Sequence, residues 1–292
     1  MSVGVARPLP AGASRPSVDV RIATLRGIYM IWRRDLIRFW RDRARVVGAL
    51  VQPLLFLVIL GTGLGSALKG AVGSSFHGID YQTFMYPGII GMAVLFSSIF
   101  SGMSIIWDRE FGFLKEVLVA PIDRSAVAIG KTLGGATQAT IQGVILLLAA
   151  PFVGVKLTPL AVVELLGLTF CLAMALAGVG VVIAARMKSM MGFQMVLNFL
   201  VQPAFFLSGA LFPVTGLPGW MTVLTRLDPL SYGVDAIRRV VLSSSGVPSV
   251  VVDKLSMTLG GQVVTIGFEV AIMLGVAAAL MGIAVVFFRQ PE

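Results

Sequence analysis

Charge is what this chain has least of. Asp, Glu, Lys and Arg make up 13% of its 292 residues, whereas an ordinary soluble domain carries about 25%. Together with a hydrophobic share of 57%, that scarcity excludes a soluble domain and makes this a membrane protein. The single cysteine, Cys171, has no partner for an intrachain disulfide. With only one histidine, His77, no His/Cys/Glu cluster is available to hold a metal. Alternating segments of about ten residues, the mark of a membrane β-barrel, are missing as well. Residues 1–20 are rich in Pro, Ala, Ser and Gly without an apolar core, so they are neither a cleaved signal peptide nor a span and read as a disordered cytoplasmic tail.

What is present is a series of apolar runs, at about 46–67, 84–107, 127–153, 159–185, 190–212 and 263–288. Each is long enough for the roughly 20 residues that cross a hydrocarbon core, and lipid offers no partner for unpaired backbone groups, so the runs must be helices. The expected fold is all-α: six transmembrane helices in one domain over 21–292. The stretch 213–242 is apolar too, but Pro213, Pro218, Gly219 and the Asp228-Pro229 pair divide it. Its pieces suit re-entrant or surface-lying helices rather than a crossing.

Ahead of the first span, 21–45 is amphipathic. Leu25, Ile28, Tyr29, Trp32, Leu36, Phe39 and Trp40 fall on one arc, with Arg26, Arg33, Arg34, Arg38 and Arg41 opposite. That describes an interfacial helix with its arginines toward anionic lipid; a helix packed on a partner is the other reading. Placing the N-terminus in the cytoplasm puts 17 of the 23 Lys and Arg inside and 6 outside. The bias puts both termini in the cytoplasm. The net charge of +9 is thereby explained by membrane topology, and nucleic acid is not expected as a partner.

The cytoplasmic connection between the second and third spans is charged, and Phe111, Leu114 and Leu118 recur within it at helical spacing. A short amphipathic helix over 108–121 is expected, ending before Pro121. It offers a face for something to bind. Just beyond lies Gly130-Lys131-Thr132, the closing tripeptide of a P-loop. The first glycine of that motif is replaced by Ser125 and an apolar span follows directly. Lys131 is therefore read as a cytoplasmic anchor at the foot of the third span, and the chain as lacking its own ATPase site.

The order Asp108-Arg-Glu-Phe-Gly112, Leu114-Lys-Glu-Val-Leu-Val-Ala-Pro121, Asp123-Arg124 and Gly130-Lys131 resembles the signature loop of type 2 ABC exporter permeases. Phe206-Leu-Ser-Gly-Ala-Leu-Phe-Pro213 and Leu227-Asp-Pro-Leu-Ser-Tyr-Gly-Val-Asp-Ala-Ile-Arg238 are similar to that family's stretch after the fifth span. The likeness covers almost everything beyond residue 20 and is greatest to the drug and polysaccharide exporters. Phe113 departs from it, standing where a small or polar residue is expected. The resemblance implies a permease subunit in a bacterial inner membrane, paired with a second permease copy and docked on a separate ATP-binding subunit. It implies that the partner, and not this chain, handles ATP and Mg. It also implies that 108–121 is the coupling helix, with Glu110, Phe111, Gly112, Leu114, Glu116 and Pro121 as contact residues. The segment 213–242 would be two short helices re-entering from the outer face, built around Pro213, Asp228, Pro229, Asp235 and Arg238.

Polar residues inside the spans have two readings. Gln52, Gln138, Gln142, Gln194, Asn198 and Gln202 either line a translocation path or bond between helices. Glu164 and Glu269 lie near outer span ends, where a carboxylate reaches headgroups. Asp228, Asp235, Arg238 and Arg239 pair with one another, or the arginines meet lipid or substrate. The expected cargo is a hydrophobic drug, a lipid-like molecule or a glycan. An intramembrane enzyme lacks support, since no acid pair on facing spans and no serine-histidine arrangement is visible. An ATP-independent channel or carrier leaves the amphipathic loop unexplained.

Overall fold

Residues 20–72, 79–112, 123–259 and 261–289 are described by the structure, a computed structural model. Within them the chain is helical apart from short connections and one small hairpin. The first helix, α1 (Val20–Arg41), is followed by α2 (Arg43–Val72), which carries Pro53 in its interior. The next span is in two pieces, α3 (Tyr81–Phe100) and α4 (Met103–Glu110), separated by a turn at Ser101 and Gly102. Then come α5 (Ser125–Leu147), α6 (Pro159–Arg186) and α7 (Met190–Leu207).

Two short helices follow, α8 (Gly219–Leu227) and α9 (Pro229–Ser244), then α10 (Ser249–Leu255), and the last span is α11 (Ile266–Arg289). Between α10 and α11, β1 (Thr258–Leu259) pairs antiparallel with β2 (Gln262–Val263), Thr258 opposite Val263.

By length and apolarity, five stretches can cross a membrane: Val46–Ala67, Tyr81–Glu110, Pro159–Arg186, Met190–Leu207 and Ile266–Arg289. α5 is as long as these but more polar, with Lys131, Gln138 and Gln142 along it. All three are buried, so its polar groups face protein rather than lipid.

Several expected ends move inward. The third run stops being α-helical at Leu147 instead of 153, because Pro151 takes up a short 3-10 turn over Ala150–Val153 that Gly154 closes at φ +75°. The fifth ends at Leu207 instead of 212, at a turn in which Gly209 has φ +74°. Pro213 lies in the irregular link that follows. Breaks at Pro218 and Asp228-Pro229 appear where the sequence places them.

α3 is the centre of the bundle, packed against α2, α5, α6 and α9. Its junction with α4 touches α6 backbone to backbone: a Cβ on Gly180 would lie 2.4 Å from the Ile99 carbonyl oxygen, and one on Gly102 2.5 Å from that of Gly180. Only glycines permit that approach. α9 is inserted into the bundle against α3, α6 and α11, and most of its side chains are buried. By contrast α8 presents Trp220, Val223, Leu224 and Leu227 on an exposed apolar face.

α1 departs from its expected orientation. The stripe it buries is Ile31, Asp35 and Phe39, lying along α5, where Gly130 admits Ile31. Trp32 Nε1 donates to Thr137 Oγ1 of α5 at 3.0 Å. Leu25, Tyr29 and Trp40, expected on the same face as Phe39, stay exposed. The helix thus packs on the bundle with one stripe and leaves aromatic and aliphatic groups exposed outside it. A buried aspartate in that stripe is the feature that the apolar arc did not reveal.

Candidate functional site

Three buried ionised side chains from three helices meet at the foot of the bundle. Asp35 comes from α1, Asp108 from α4 and Lys131 from α5, each 5% exposed or less. Lys131 Nζ lies 2.6 Å from Asp108 Oδ2 and 3.0 Å from Asp35 Oδ2, and it donates to Ser104 Oγ at 3.0 Å. Arg34 bridges the same two carboxylates from the solvent side, at 2.5 Å to Asp108 and 2.9 Å to Asp35. Arg38 stands 3.8 Å from Asp108 and stacks 4.8 Å over the Trp107 ring. Gln138 Nε2 donates to the Asp35 carbonyl oxygen at 3.2 Å.

Two carboxylates against Lys131 and Arg34 balance in charge, which is what buried ions require. Burial lowers the Arg34 pKa, but Asp35 and Asp108 outweigh it and hold the guanidinium above its ordinary value. Lys131, expected as a cytoplasmic anchor at the foot of a span, is buried between two carboxylates. It is the central cation of a closed network. Arg34, likewise, turns inward instead of toward lipid.

The cluster sits where the chain enters and leaves the segment 113–122. Next to Asp108, Arg109 donates to the carbonyl oxygens of Met187 and Ala185, at 2.5 and 3.2 Å. It thereby caps the C-terminal end of α6 with positive charge. Trp107 Nε1 donates to Met190 Sδ at 2.7 Å. On the return side, Asp123 Oδ1 accepts from the Ser125 backbone N–H at 2.8 Å, and that bond lowers the Asp123 pKa. Arg289 reaches Asp123 at 3.5 Å.

The expected coupling residues divide accordingly. Glu110 and Phe111 are exposed, Phe111 at 79%. Gly112 has φ +75° and follows the end of α4, so one continuous helix over 108–121 is not formed. Leu114, Glu116 and Pro121 lie outside the described residues.

Above the cluster a cavity of about 440 Å³ opens between α1, α2, α3, α4, α5 and α7. Phe39, Phe96, Phe100 and Trp107 give it aromatic walls, and Gln52, Gln142 and Gln194 give it three amides. Gln142 is 2% exposed and its Oε1 has no hydrogen-bond partner among the described residues. Of the expected path residues, Gln142 and Gln194 thus come together. Gln138 is engaged with α1, while Asn198 and Gln202 lie on the exposed face of α7.

At the opposite end, α9 carries a second charged group. Arg239 pairs with Asp235 at 3.0 Å and approaches Glu269 of α11 at 3.7 Å. Glu269 is fully buried, not at headgroup level as its position near a span end implied, and Glu164 is exposed. Arg238 is buried as well. It donates to the Gly209 carbonyl oxygen and lies 4.4 Å over the Phe84 ring, forming no ion pair among the described residues. Burial lowers its pKa to about 10, against the raising effect of Asp235. Asp228 caps α9 through the Leu230 N–H at 3.0 Å. The expected mutual pairing therefore holds for Asp235 and Arg239 alone.

No group of three or more His, Cys, Asp or Glu placed to hold a metal occurs among the described residues. The arrangement is one of anchors, a cavity and buried ion pairs within a membrane bundle. The family model of the ABC-2 type transporter matches residues 26–242, from α1 to the end of α9. The chain belongs to the ABC-2 type transporter family. It is 29% identical over 223 residues to nodulation protein J of Rhizobium meliloti (strain 1021), covering 73% of this chain and 80% of the relative. With the inner membrane transport permease YadH of Escherichia coli (strain K12) it shares 27% over 231 residues, 75% and 84% of the two chains. The putative transport permease ycf38 of Cyanophora paradoxa is 27% identical over 213 residues, 72% of each. This ABC-2 chain is thus a multi-pass membrane permease, a non-catalytic transport subunit. Permeases of ABC transporters pair with ATP-binding subunits.

Proposed function

We propose that this permease exports an amphiphilic molecule, a drug, lipid or glycan, from a bacterial inner membrane, powered by a separate ATP-binding subunit that docks on residues 108–121. The observation that carries the reading is the anchoring of that segment at both ends. Asp108 and Arg109 tie its start to α1, α5 and α6, and Asp123 ties its end to α5 and α11. A push on the segment is thereby delivered to four helices at once, and rigid helices transmit such displacement. Glu110 and Phe111 at its start are exposed, as docking residues must be.

Six spans and two cytoplasmic termini fit the arrangement, with α5 as the sixth. Its 23 residues span about 34 Å at 1.5 Å per residue, and its polar side chains are shielded by neighbours. On this topology α8 and α9 form the re-entrant pair, reaching into the bundle from the outer face. A second copy of the chain completes the transporter. The aromatic and amide cavity is part of the path, suited to a cargo with apolar bulk and a few hydrogen-bonding groups.

The test is co-purification. Phe111→Asp with Leu114→Asp abolishes recovery of the ATP-binding subunit with the permease and stops transport, while the permease still inserts and runs as a monodisperse species. Undiminished ATPase coupling in that variant sinks the docking assignment, and transport without any ATPase would favour a carrier.

A further inference from the structure

At the outer end of the bundle two buried carboxyl groups face each other across helices that no backbone bond joins. Asp235 is 2% exposed in the middle of α9, and Glu269 is 0% exposed in the first turn of α11. They share one cation, Arg239, 3.0 Å from Asp235 and 3.7 Å from Glu269. Asp235 Oδ2 also accepts the Met257 backbone N–H at 3.0 Å. The other three oxygens, Asp235 Oδ1 and both of Glu269, accept no hydrogen bond from the described residues, although both carboxyls lie against the same guanidinium nitrogen, Arg239 Nη2.

Ionised carboxylates only accept. Two of them out of water on one shared guanidinium nitrogen is a costly arrangement. One proton resolves it, since a protonated Glu269 donates to Asp235 Oδ1 and leaves Asp235 as the counterion of Arg239.

Among the described residues no other side chain donates to these three oxygens; on α3 the Tyr81 and Tyr86 hydroxyls donate to the Leu211 and Leu146 carbonyl oxygens. On α9, Arg238 is turned to Gly209 and Phe84, and the Tyr232 hydroxyl donates to the Arg226 carbonyl oxygen at 2.8 Å. Arg226, at the end of α8, donates to the Thr258 carbonyl oxygen. On α6, packed along α11, Glu164 is exposed, Cys171 is half-buried, and Arg186 stacks 4.0 Å from the Phe287 ring at the far end. On α10, Asp253 and Lys254 are exposed. Lys131 of α5 is engaged in the inner cluster.

We propose that Asp235 and Glu269 form a one-proton site that latches α9 to α11. With the proton bound, the carboxyls attract through a hydrogen bond; without it they repel, and the contact loosens. The site belongs to the isolated permease and is independent of ATPase docking. Only its placement on the outer face rests on the topology proposed above.

Infrared spectroscopy of the full chain in lipid nanodiscs tests it, in an Asp228→Asn background so that the Asp228 carboxyl, which burial also pushes up, does not contribute. A deuterium-sensitive protonated-carboxyl band is expected at neutral pH, disappearing as the pH is raised. Either Glu269→Gln or Asp235→Asn removes that band. In the same background the unfolding temperature falls as the pH rises, because the folded chain then holds a proton that the unfolded chain has lost, and Glu269→Gln flattens the slope. No band at neutral pH overturns the site, and a band that survives Asp235→Asn overturns the sharing. Asp235→Asn decides the matter if Glu269→Gln does not fold. Undiminished ATPase coupling in the Phe111→Asp, Leu114→Asp variant, the outcome that would sink the docking assignment, leaves this result untouched.

Discussion

Lys131 Nζ stands 2.6 Å from Asp108 Oδ2, although α5 and α4 are joined only through the segment that separates them in sequence. The pair closes that segment at its base, and Asp35 fastens α1 to the same lysine. Removing one partner of a buried pair strands the other, at a cost of about 3–5 kcal/mol. Lys131→Met should lower the unfolding temperature and weaken transport. Adding Asp108→Asn should recover part of the stability, since the stranded charge is gone. Nucleotide binding by the isolated chain should be undetectable with or without Lys131, which a titration with a fluorescent ATP analogue checks. Additive losses in the double variant would show that the two side chains do not act together.

Arg109 closes the end of α6 with two hydrogen bonds to carbonyl oxygens. Hydrogen bonds from a charged donor contribute about 1.5–3 kcal/mol each. Arg109→Ala should destabilise the permease and speed amide exchange at residues 185–189 ahead of the rest of α6. Arg109→Lys, which cannot fork to two carbonyls, should recover only part. Hydrogen exchange read by mass spectrometry decides, and an unchanged rate at the α6 end would remove Arg109 from the coupling route.

Gly102 and Gly180 let α3, α4 and α6 touch at the backbone. Neither contact leaves room for a methyl group, and the obstructing atoms are backbone rather than a flexible side chain. Gly180→Ala should cost about 1–3 kcal/mol or more through forced separation of the helices. Gly275, with open space around its Cβ position, makes the control: Gly275→Ala should be neutral. Equal unfolding temperatures for the two variants would contradict the packing.

How much of this was legible beforehand follows from what each feature depends on. The spans declare themselves by composition, because lipid demands continuous apolar helix, and Asp228-Pro229 declares the break before α9 because proline cannot continue a helix. The exposed start of the loop at Glu110 and Phe111 was readable in the same way. The ion cluster was not. Asp35 sits on a helix whose arginines mask it, and Lys131 at a span foot looks like every snorkelling lysine; only the docking of α1 on Gly130 brings the two together. Glu269 escapes a sequence reading for a related reason, since proximity to a span end indicates water only when no other helix covers it. α9 does.

The cavity can be tested through Gln142, whose buried Oε1 has no hydrogen-bond partner among the described residues. An unpaired buried amide is unfavourable for folding, so Gln142→Leu should leave stability unchanged or slightly raised. If the amide serves cargo, the same variant should transport less. Gln194→Leu, on the facing helix, should show the same transport loss. A variant that is both more stable and fully active would make Gln142 an interior packing residue and nothing more.

Asp228 gives a dependence on pH with a definite sign. Burial pushes its carboxyl up to about 7, against the lowering effect of the Leu230 N–H and the Ser231 hydroxyl, whereas an unfolded aspartate titrates near 3.9. The folded chain therefore binds the proton more tightly than the unfolded one. Stability from this group is fully present below about pH 4 and is lost as the pH rises through about 7. Asp228→Asn keeps a side-chain oxygen for the Leu230 N–H, and asparagine caps helices as well as aspartate does. The variant should match the parent at acid pH and exceed it in unfolding temperature at pH 8. If the parent is instead the more stable at pH 8, the carboxylate is ionised in the fold and valued as an anion at the N-terminus of α9.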